Sequence, residues 1–387
     1  MNSSNGNHLT VAFDTWPLML RHSNTGIHVY ARNLLSHFRK IASRDSVDVR
    51  PLVCGTMPSV ANEFDASNGF NPHQTRLLGL GRVWRYGGAC LSAFACKADV
   101  LFCPSPTTLP MAGLFPVVAT IHDIMPILFP DLPKARSLKV EFATTARFSR
   151  ALITDSNHSK QDLVRVFNVP PSKVHVVYLA CDETTFNNDP PDPALADRLL
   201  MRLGITRPYI LHHGRIQERK NIKRLIEAYS RIASRRSGFE FDLLLVGELG
   251  WRHKEIVAAA QSVTSPARVI FAGALRDPEL AILLKQATLV VIPSLYEGFC
   301  LPLLEAMTCG APTVCSSSSC LPEISGGVLR YFDPYSVDEM ATCIEQTLES
   351  TELRAELSLR GKQRASFFSW QRCAEETMEV LKSAARS

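Results

Sequence analysis

Two glutamates flank a glycine-containing turn late in the chain, and their surroundings indicate what they could bind. Glu297 follows the apolar run 287–292, which has the pattern of a buried strand, and Glu305 lies among good helix formers that begin near Pro302. A strand, a glycine turn and a helix N-terminus present free backbone N–H groups to an anion, and carboxylates accept hydrogen bonds from sugar hydroxyls. The pair suits a ligand with both phosphate and sugar, although either glutamate alone is more simply explained as a solvated surface acid.

A cluster of cations precedes a predicted helix in the same half of the chain. Arg215, Arg219 and Lys220 lie between a predicted strand at 209–213 and a helix at 222–233. Cations at a helix N-terminus oppose the helix dipole and cost stability, unless a bound anion is what they share. This cost favours a phosphate-binding site over a solvated surface.

The first half of the chain has candidate ligand positions of its own. Gly26 lies between the first predicted strand, 9–13, and a segment with the apolar spacing of a helix, where glycine allows a ligand close to the backbone. His122 follows the buried-strand pattern at 117–121 and would share the same sheet edge. Gly26 could equally be an ordinary turn glycine, and His122 a satisfied core or loop histidine.

Strands and helices alternate over both halves, which predicts an α/β protein of two Rossmann-like, doubly wound domains with a cleft between them. A polar, proline-rich segment separates the halves and predicts a linker at 187–196, between a first domain at 1–186 and a second at 197–367. Asn221 is the expected N-cap of the helix at 222–233.

Composition narrows the class of protein. The chain has 387 residues, of which 46% are hydrophobic and 20% charged, and a net charge of +5 that is too small to argue for nucleic acid. The 11 cysteines show neither a C-x-x-C pair nor zinc spacing, as expected in a reducing cytosol. The N-terminus lacks a signal-peptide core, and no apolar run reaches 18 residues. We therefore expect a cytoplasmic protein that does not span a membrane.

Basic segments in the first half raise the question of membrane contact. Residues 66–98 contain no acid but several cations and aromatic side chains, and a second basic segment covers 135–150. Such surfaces can rest on anionic lipid, and they can equally be solvated helix faces over a core. The cations concerned are Arg76, Arg82, Arg85 and Lys97 in the first segment, and Arg136, Lys139, Arg147 and Arg150 in the second.

Taken together, these motifs resemble those of the retaining family 4 glycosyltransferases of the GT-B fold. Residues 293–307 resemble the E-x7-E signature, and residues 214–221 resemble the diphosphate-binding R-x4-K and RKN segment. Shorter similarities occur at 120–123, 278–280 and 319–323. The terminal segment 368–387 is similar to the helix that in this family crosses back onto the first domain. The first-domain glycine loop departs from the family pattern, since it has one glycine instead of two.

The resemblance implies a role for each matching residue. Glu305 would accept hydrogen bonds from the ribose of a nucleotide and Glu297 from the donor sugar, while the cations neutralise the leaving diphosphate. The implied catalytic residues are His122, Glu297 and Asp123. The implied diphosphate-binding residues are Arg215, Lys220, Arg219 and Gly26. The implied sugar- and nucleotide-binding residues are Glu305, Gly298, Phe299, Cys300, Leu301, Gly214, Phe271 and Gly273.

The resemblance also implies a reaction and its partners. It implies retaining transfer of a hexose from a nucleotide diphosphate sugar to a glycan or polyprenyl-diphosphate-linked acceptor in surface polysaccharide synthesis, with no cofactor. A metal site is not expected, because no D-x-D motif occurs and two cations with a helix dipole can stabilise the diphosphate. Residues 247–251 and the RKN segment look most like bacterial polysaccharide (O-antigen, capsule, exopolysaccharide) mannosyltransferases, which makes GDP-mannose the first donor to test.

The sequence leaves two alternative functions open and disfavours a third. A GT-B-like nucleotide-sugar epimerase would use the nucleotide site without an acceptor, and a non-catalytic nucleotide-sugar-binding protein would use it without turnover. A dinucleotide oxidoreductase is disfavoured, because no G-x-G-x-x-G follows the first strand and Trp84 stands where the third glycine after Gly79 and Gly81 would be.

Overall fold

A computed structural model describes residues 8–19, 26–54, 72–75, 84–106, 115–129, 135–236, 238–264 and 267–386. The chain divides into two compact units, the first comprising Met1–Leu179 with Ser369–Ser387 and the second Ala180–Phe368. The change of unit thus falls after Leu179, and a helix that begins at Pro193 occupies part of the segment 187–196. Each unit holds a parallel sheet with helices, which confirms the predicted α/β class.

The first unit is built on a seven-stranded sheet in the order β3-β2-β1-β4-β5-β6-β7. The strand order reverses between β1 and β4, the point at which doubly wound sheets bind their ligands. Central strands are buried over their full length, as expected for a parallel sheet covered on both faces. The strands are β1 (Leu9–Asp14), β2 (Val47–Cys54), β3 (His73–Thr75), β4 (Val100–Cys103), β5 (Val117–Thr120), β6 (Ala151–Thr154) and β7 (Val174–Val176).

The helices of the first unit include one contributed by the end of the chain. They are α1 (Trp16–Met19), α2 (Gly26–Arg44), α3 (Ala89–Ala95), α4 (Met125–Leu128), α5 (Ala135–Phe148), α6 (Asn157–Phe167) and α15 (Trp370–Arg386). Helix α2 buries the predicted apolar face, which includes Tyr30, Leu34 and Phe38. Helix α15 packs against α2 and against β4, β5 and β6, which confirms that the C-terminal helix returns to the first domain.

The second unit is built on a six-stranded sheet in the order β10-β9-β8-β11-β12-β13, and its order reverses between β8 and β11. Its strands are β8 (Tyr209–His213), β9 (Asp242–Val246), β10 (Val269–Gly273), β11 (Leu289–Ile292), β12 (Thr313–Ser316) and β13 (Arg330–Phe332). Its helices are α7 (Pro193–Leu203), α8 (Ile222–Arg235), α9 (Lys254–Gln261), α10 (Asp277–Gln286), α11 (Leu301–Thr308), α12 (Leu321–Ser325), α13 (Val337–Glu349) and α14 (Thr351–Ala365).

Some local features differ from the sequence expectations. Strand β2 has no counterpart among them, because Asp48, Arg50 and Pro51 interrupt its apolar pattern. Asn221 is the N-cap residue of α8, as expected, but its side chain makes no capping hydrogen bond. Asn221 precedes α8 in a left-handed conformation (φ 59°), and its side chain donates to the Pro334 carbonyl and accepts from Arg224 instead.

Several sequence predictions lie on residues that the structure does not describe. Arg76, Arg82, Gly79 and Gly81 belong to this group. Among the residues that are described, no helix combines the length and the apolar character needed to cross a bilayer.

Candidate functional site

The second unit brings Glu297, Arg219 and Lys220 together at its switch point. Lys220 ends a single helical turn that lies between β8 and α8, and Glu297 follows β11, the strand next to β8. Lys220 Nζ lies 2.5 Å from Glu297 Oε1, and Arg219 Nη1 lies 2.7 Å from Glu297 Oε2. Each oxygen of the carboxylate therefore has its own cation, at the sheet edge where α/β folds bind ligands.

This triad (Glu297, Arg219 and Lys220) is almost closed to solvent. The side chains of Glu297 and Lys220 are each 6% exposed and that of Arg219 is 18% exposed. Burial by itself would raise the pKa of Glu297, but the charges of Arg219 and Lys220 outweigh it and lower that pKa to about 2. The carboxylate is therefore ionised at neutral pH, and the triad carries a net positive charge suited to an anionic ligand.

Hydrogen bonds that involve the backbone join the two loops that carry the triad. Leu295 N donates to the Arg219 carbonyl at 2.9 Å, and Arg219 Nη1 donates to the Tyr296 carbonyl at 2.9 Å. The Glu297 amide donates to Ser319 Oγ at 3.0 Å. The loop after β11 is thus fastened to the turn that carries the cations, and the triad does not depend on side-chain contacts alone.

A close approach of two glycines shapes the turn after β8. Gly214 (φ 121°) donates to the Val246 carbonyl, and a Cβ atom built on Gly247 (φ 143°) would lie 2.0 Å from the Gly214 carbonyl oxygen. Only glycine fits at 247, because both the backbone conformation and the space exclude a side chain. Arg215, which follows this turn, is 61% exposed and lies 3.4 Å from Glu248. Its guanidinium is therefore not part of the buried triad.

In helix α11, Glu305 lies near His213, a neutral histidine at the end of β8. The side chain of Glu305 is 17% exposed, and burial, with the charge of Asp277, raises the pKa of Glu305 to about 8. His213 Nε2 lies 3.0 Å from the Pro302 carbonyl and must be protonated, since a carbonyl only accepts. Burial lowers the pKa of His213 to about 3, so its Nδ1, 3.5 Å from Glu305 Oε2, is a bare acceptor. At neutral pH both groups are predominantly uncharged.

The turn that leads into α11 is buried. Cys300 has a left-handed conformation (φ 76°), and burial raises its thiol pKa to about 12, so it is not a nucleophile at neutral pH. Phe299 packs against Phe368 with ring centroids 5.7 Å apart. Gly298 is also buried, and Leu301 is the first residue of α11.

Two further predicted residues lie at the end of β10. Phe271 is 38% exposed, and Gly273 (φ 69°) accepts a hydrogen bond from Gly247 N at 2.8 Å. Because Gly247 also meets Gly214, these three positions form one continuous backbone network at the carboxyl ends of β8, β9 and β10.

The first unit places its predicted residues at the corresponding edge of its own sheet. His122 follows β5, and its Nδ1 lies 2.8 Å from Asp155 Oδ2. Asp123 Oδ1 accepts a hydrogen bond from the Met125 amide at 2.9 Å, which fixes the start of α4. Gly26 is the first residue of α2, and the short helix α1 separates it from β1.

Sequence reasoning missed three contributors to these sites. Asp155 and His213 follow or end buried strands, and that position at the carboxyl edge was an available signal. Gly247 belongs to the segment 247–251 that resembles the family, but no role could be assigned to it, because the backbone that excludes a side chain there comes from a different strand. Within the described part of the chain, no group of three or more His, Cys, Asp or Glu side chains is placed to hold a metal ion.

Comparison with known families gives two matches that together cover most of the chain. Residues 24–185 match the model described as Glycosyltransferase Family 4, and residues 202–364 match the model described as Glycosyl transferases group 1. The boundary between the two matches falls close to the change of unit. The family 4 match therefore covers the first unit from α2 to β7, and the group 1 match covers all six strands of the second sheet.

Similar proteins point to the same class. The chain is 32% identical over 270 residues to O-antigen chain mannosyltransferase B of Escherichia coli. The aligned region covers 68% of this chain and 70% of that protein. Among solved structures, sucrose-phosphate synthase of Thermosynechococcus elongatus is 18% identical, with a TM-score of 0.73 over 97% of this chain and 98% of its own. HepE of Anabaena in complex with UDP-glucose is 20% identical, with a TM-score of 0.73 over 97% and 100%. These likenesses show the GT-B fold.

Proposed function

The chain belongs to the family 4 glycosyltransferases, and from this premise we propose that it transfers mannose from GDP-mannose with retention of anomeric configuration. The acceptor would be a glycan or a polyprenyl-diphosphate-linked saccharide of a bacterial surface polysaccharide. Similarity to an O-antigen mannosyltransferase over two thirds of both chains supports mannose as the sugar. GDP as the nucleotide rests on the resemblance of residues 247–251 and the RKN segment to bacterial polysaccharide mannosyltransferases.

The observation that carries the proposal is the triad of Glu297, Arg219 and Lys220. A leaving nucleoside diphosphate develops negative charge, and preorganised cations in a site closed to water stabilise that charge. The two cations are already held in place by Glu297, so little reorganisation is needed when the diphosphate arrives. In this proposal the cations replace the divalent metal that other glycosyltransferases use.

The residues around the triad would divide the work of binding. Glu305 would accept hydroxyl hydrogen bonds from the ribose, and the start of α11, from Gly298 to Leu301, would meet the sugar and phosphate. Phe271 and Gly273 would flank the base, with Gly214 closing the phosphate side and Arg215 at its exposed rim. From the first unit, His122, Asp123 and Gly26 would serve the transferred sugar and the acceptor.

Product analysis tests the proposal directly. Purified protein is given GDP-mannose, UDP-glucose, ADP-glucose or dTDP-glucose in turn, with and without mannosylated polyprenyl-diphosphate acceptors. We expect GDP release only with GDP-mannose and an acceptor, an α-configured product by NMR, and unchanged turnover in EDTA. Nucleotide-sugar conversion without an acceptor would indicate an epimerase. Binding without turnover for any pair would indicate a sensor.

We also propose that the first unit contacts an anionic membrane surface reversibly, as a lipid-linked acceptor would require. Helix α5 exposes Arg136, Val140, Ala143 and Arg147 at helical spacing, and Val140 is 66% exposed. The one acid between residues 135 and 150, Glu141, is buried. A basic face that carries an exposed apolar side chain suits anionic lipid.

A further inference from the structure

His122 is surrounded by hydrogen-bond acceptors on both of its ring nitrogens. Its Nδ1 lies 2.8 Å from Asp155 Oδ2, and its Nε2 lies 3.1 Å from the carbonyl oxygen of Pro104. Pro104, His122 and Asp155 follow β4, β5 and β6, which are adjacent strands of the first sheet. The arrangement is therefore built by the sheet itself, at its carboxyl edge.

The two acceptors determine where the protons are. A peptide carbonyl can only accept, so Nε2 must carry a proton. Imidazole is a stronger base than a carboxylate, so the proton shared between Nδ1 and Asp155 stays on the ring. With both nitrogens protonated, His122 is an imidazolium paired with an aspartate.

Other groups around the ring favour the same charge state. Tyr30 of α2 packs edge-on against His122 with ring centroids 4.8 Å apart, and its hydroxyl pairs with Thr120 Oγ1 at 3.0 Å. Burial raises the pKa of Tyr30 and that of Cys373 of α15, so both side chains are neutral at pH 7. Burial lowers the pKa of His122, but the charge and hydrogen bond of Asp155, the Pro104 carbonyl and the charge of Asp123 outweigh it and raise that pKa above its usual value.

The carboxylate of Asp155 is buried and is stabilised by its pairing with His122. Its side chain is 3% exposed, and Oδ1, the oxygen that does not face His122, is buried without a hydrogen-bond partner among the described residues. A buried carboxylate with one oxygen unsatisfied is costly, and an opposite charge at the other oxygen offsets that cost. Loss of the imidazolium proton would remove this compensation.

We propose that Asp155 is a positioning residue that holds His122 as a doubly protonated imidazolium at neutral pH, which makes His122 a hydrogen-bond donor and not a general base. The inference deepens the proposed function and rests on it in one respect, the identity of the ligand. The Nε2–H group now donated to Pro104 can turn to a hydroxyl or phosphate oxygen of a bound sugar nucleotide. No proton is transferred in that exchange.

Ring-nitrogen NMR tests the protonation state without any substrate. In protein labelled with 15N-histidine, two-bond 1H–15N correlations distinguish protonated from bare ring nitrogens, and His122→Gln assigns the signal. We expect both His122 nitrogens to be protonated at pH 7 in the wild type. In Asp155→Asn we expect the pKa of the ring to fall by at least about one unit and one nitrogen to become bare. Asp155→Glu, which restores the charge, should recover part of the shift.

A matched control separates this effect from loss of structure. Asp162→Asn removes another buried carboxylate of the same unit, one that faces His158 and Arg165, and it should leave the His122 signals unchanged. A neutral His122 at pH 7 in the wild type, or the same titration in wild type and Asp155→Asn, would overturn the proposal.

Kinetics then separate this inference from the proposed function. In the wild type, kcat/KM should not change with the protonation of His122 between pH 6 and 8, whereas in Asp155→Asn it should fall as pH rises through the lowered pKa of the ring. If no donor and acceptor pair supports turnover, the proposed function fails while the NMR result stands. An imidazolium in the wild type with equal pH profiles in both proteins would refute the donor role alone.

Discussion

Lys220 Nζ and Glu297 Oε1 lie 2.5 Å apart in a buried ion pair, although 77 residues separate them in the chain. The sequence motifs assign the lysine to the diphosphate and the glutamate to the sugar. The structure shows that the two side chains form one ion-paired unit with Arg219.

The charge of Lys220 should be required for turnover. Lys220→Met keeps most of the apolar stem and removes the ammonium group, so we expect kcat/KM with GDP-mannose to fall by roughly 100-fold or more. Lys223→Met is the matched control, because Lys223 is exposed and pairs with Glu255. Equal kcat/KM in wild type and Lys220→Met would remove the diphosphate role.

The negative charge of Glu297 should be required for stability. In Glu297→Gln the buried Lys220 and the partly buried Arg219 lose their counter-ion, so we expect the free energy of unfolding at pH 7 to fall by about 3 kcal/mol. Because folding lowers the pKa of Glu297 to about 2, this stabilisation exists above the unfolded pKa and is lost as pH falls through the folded one. Urea unfolding at pH 7 and at pH 3.5 should therefore show a smaller difference at the lower pH. Glu248→Gln, at an exposed ion pair, should change little.

Glu305 should make stability decline with rising pH. Burial raises its folded pKa to about 8, so the folded state holds a proton that the unfolded state has released above its lower pKa. Stability is therefore lost as pH rises from about 4.5 to about 8. Between pH 5 and pH 9 the free energy of unfolding of the wild type should fall by roughly 3 kcal/mol because of Glu305. The Glu305→Gln variant should lack this fall. Glu240→Gln, at an exposed glutamate, is the control and should keep the pH dependence of the wild type. The same dependence of unfolding free energy on pH in wild type and Glu305→Gln would contradict the burial argument.

Gly247 should tolerate no side chain. Alanine there would place Cβ 2.0 Å from the Gly214 carbonyl oxygen at a φ of 143°, and must displace the turn that leads to the triad. We expect Gly247→Ala to lower the free energy of unfolding by roughly 3 kcal/mol or more and to weaken nucleotide binding. Gly204→Ala is the control, because Gly204 also has a positive φ but has open space around it. It should cost about 1 kcal/mol.

The basic face of α5 should bind anionic vesicles. Arg136→Gln combined with Arg147→Gln removes two exposed cations, so binding to phosphatidylglycerol vesicles in a sedimentation assay should weaken by roughly 30-fold. Wild-type binding should also weaken with added salt. Arg32→Gln with Lys40→Gln removes the same charge from α2 and should have little effect. Salt-insensitive binding, or equal loss in both double variants, would reject this surface.

Much of the fold could be predicted because its signals are local. Buried parallel strands are short apolar runs, and helices such as α2 and α8 repeat apolar residues along one face. Strand β2 was not predicted, because its polar and proline residues interrupt the apolar pattern of a buried strand. Its burial depends on its position between β1 and β3, which the local sequence does not specify.

The sequence by itself determined the alternation of strands and helices, the E-x7-E and RKN spacings, and hence the family, since each depends on residues close together in the chain. Only the tertiary structure decided which charges meet. It paired Glu297 with Lys220, left Arg215 exposed beside Glu248, and set Asp155 against His122 from a neighbouring strand. The physical reason is that protonation and charge depend on burial and on neighbours from other strands. Sequence spacing specifies neither of these.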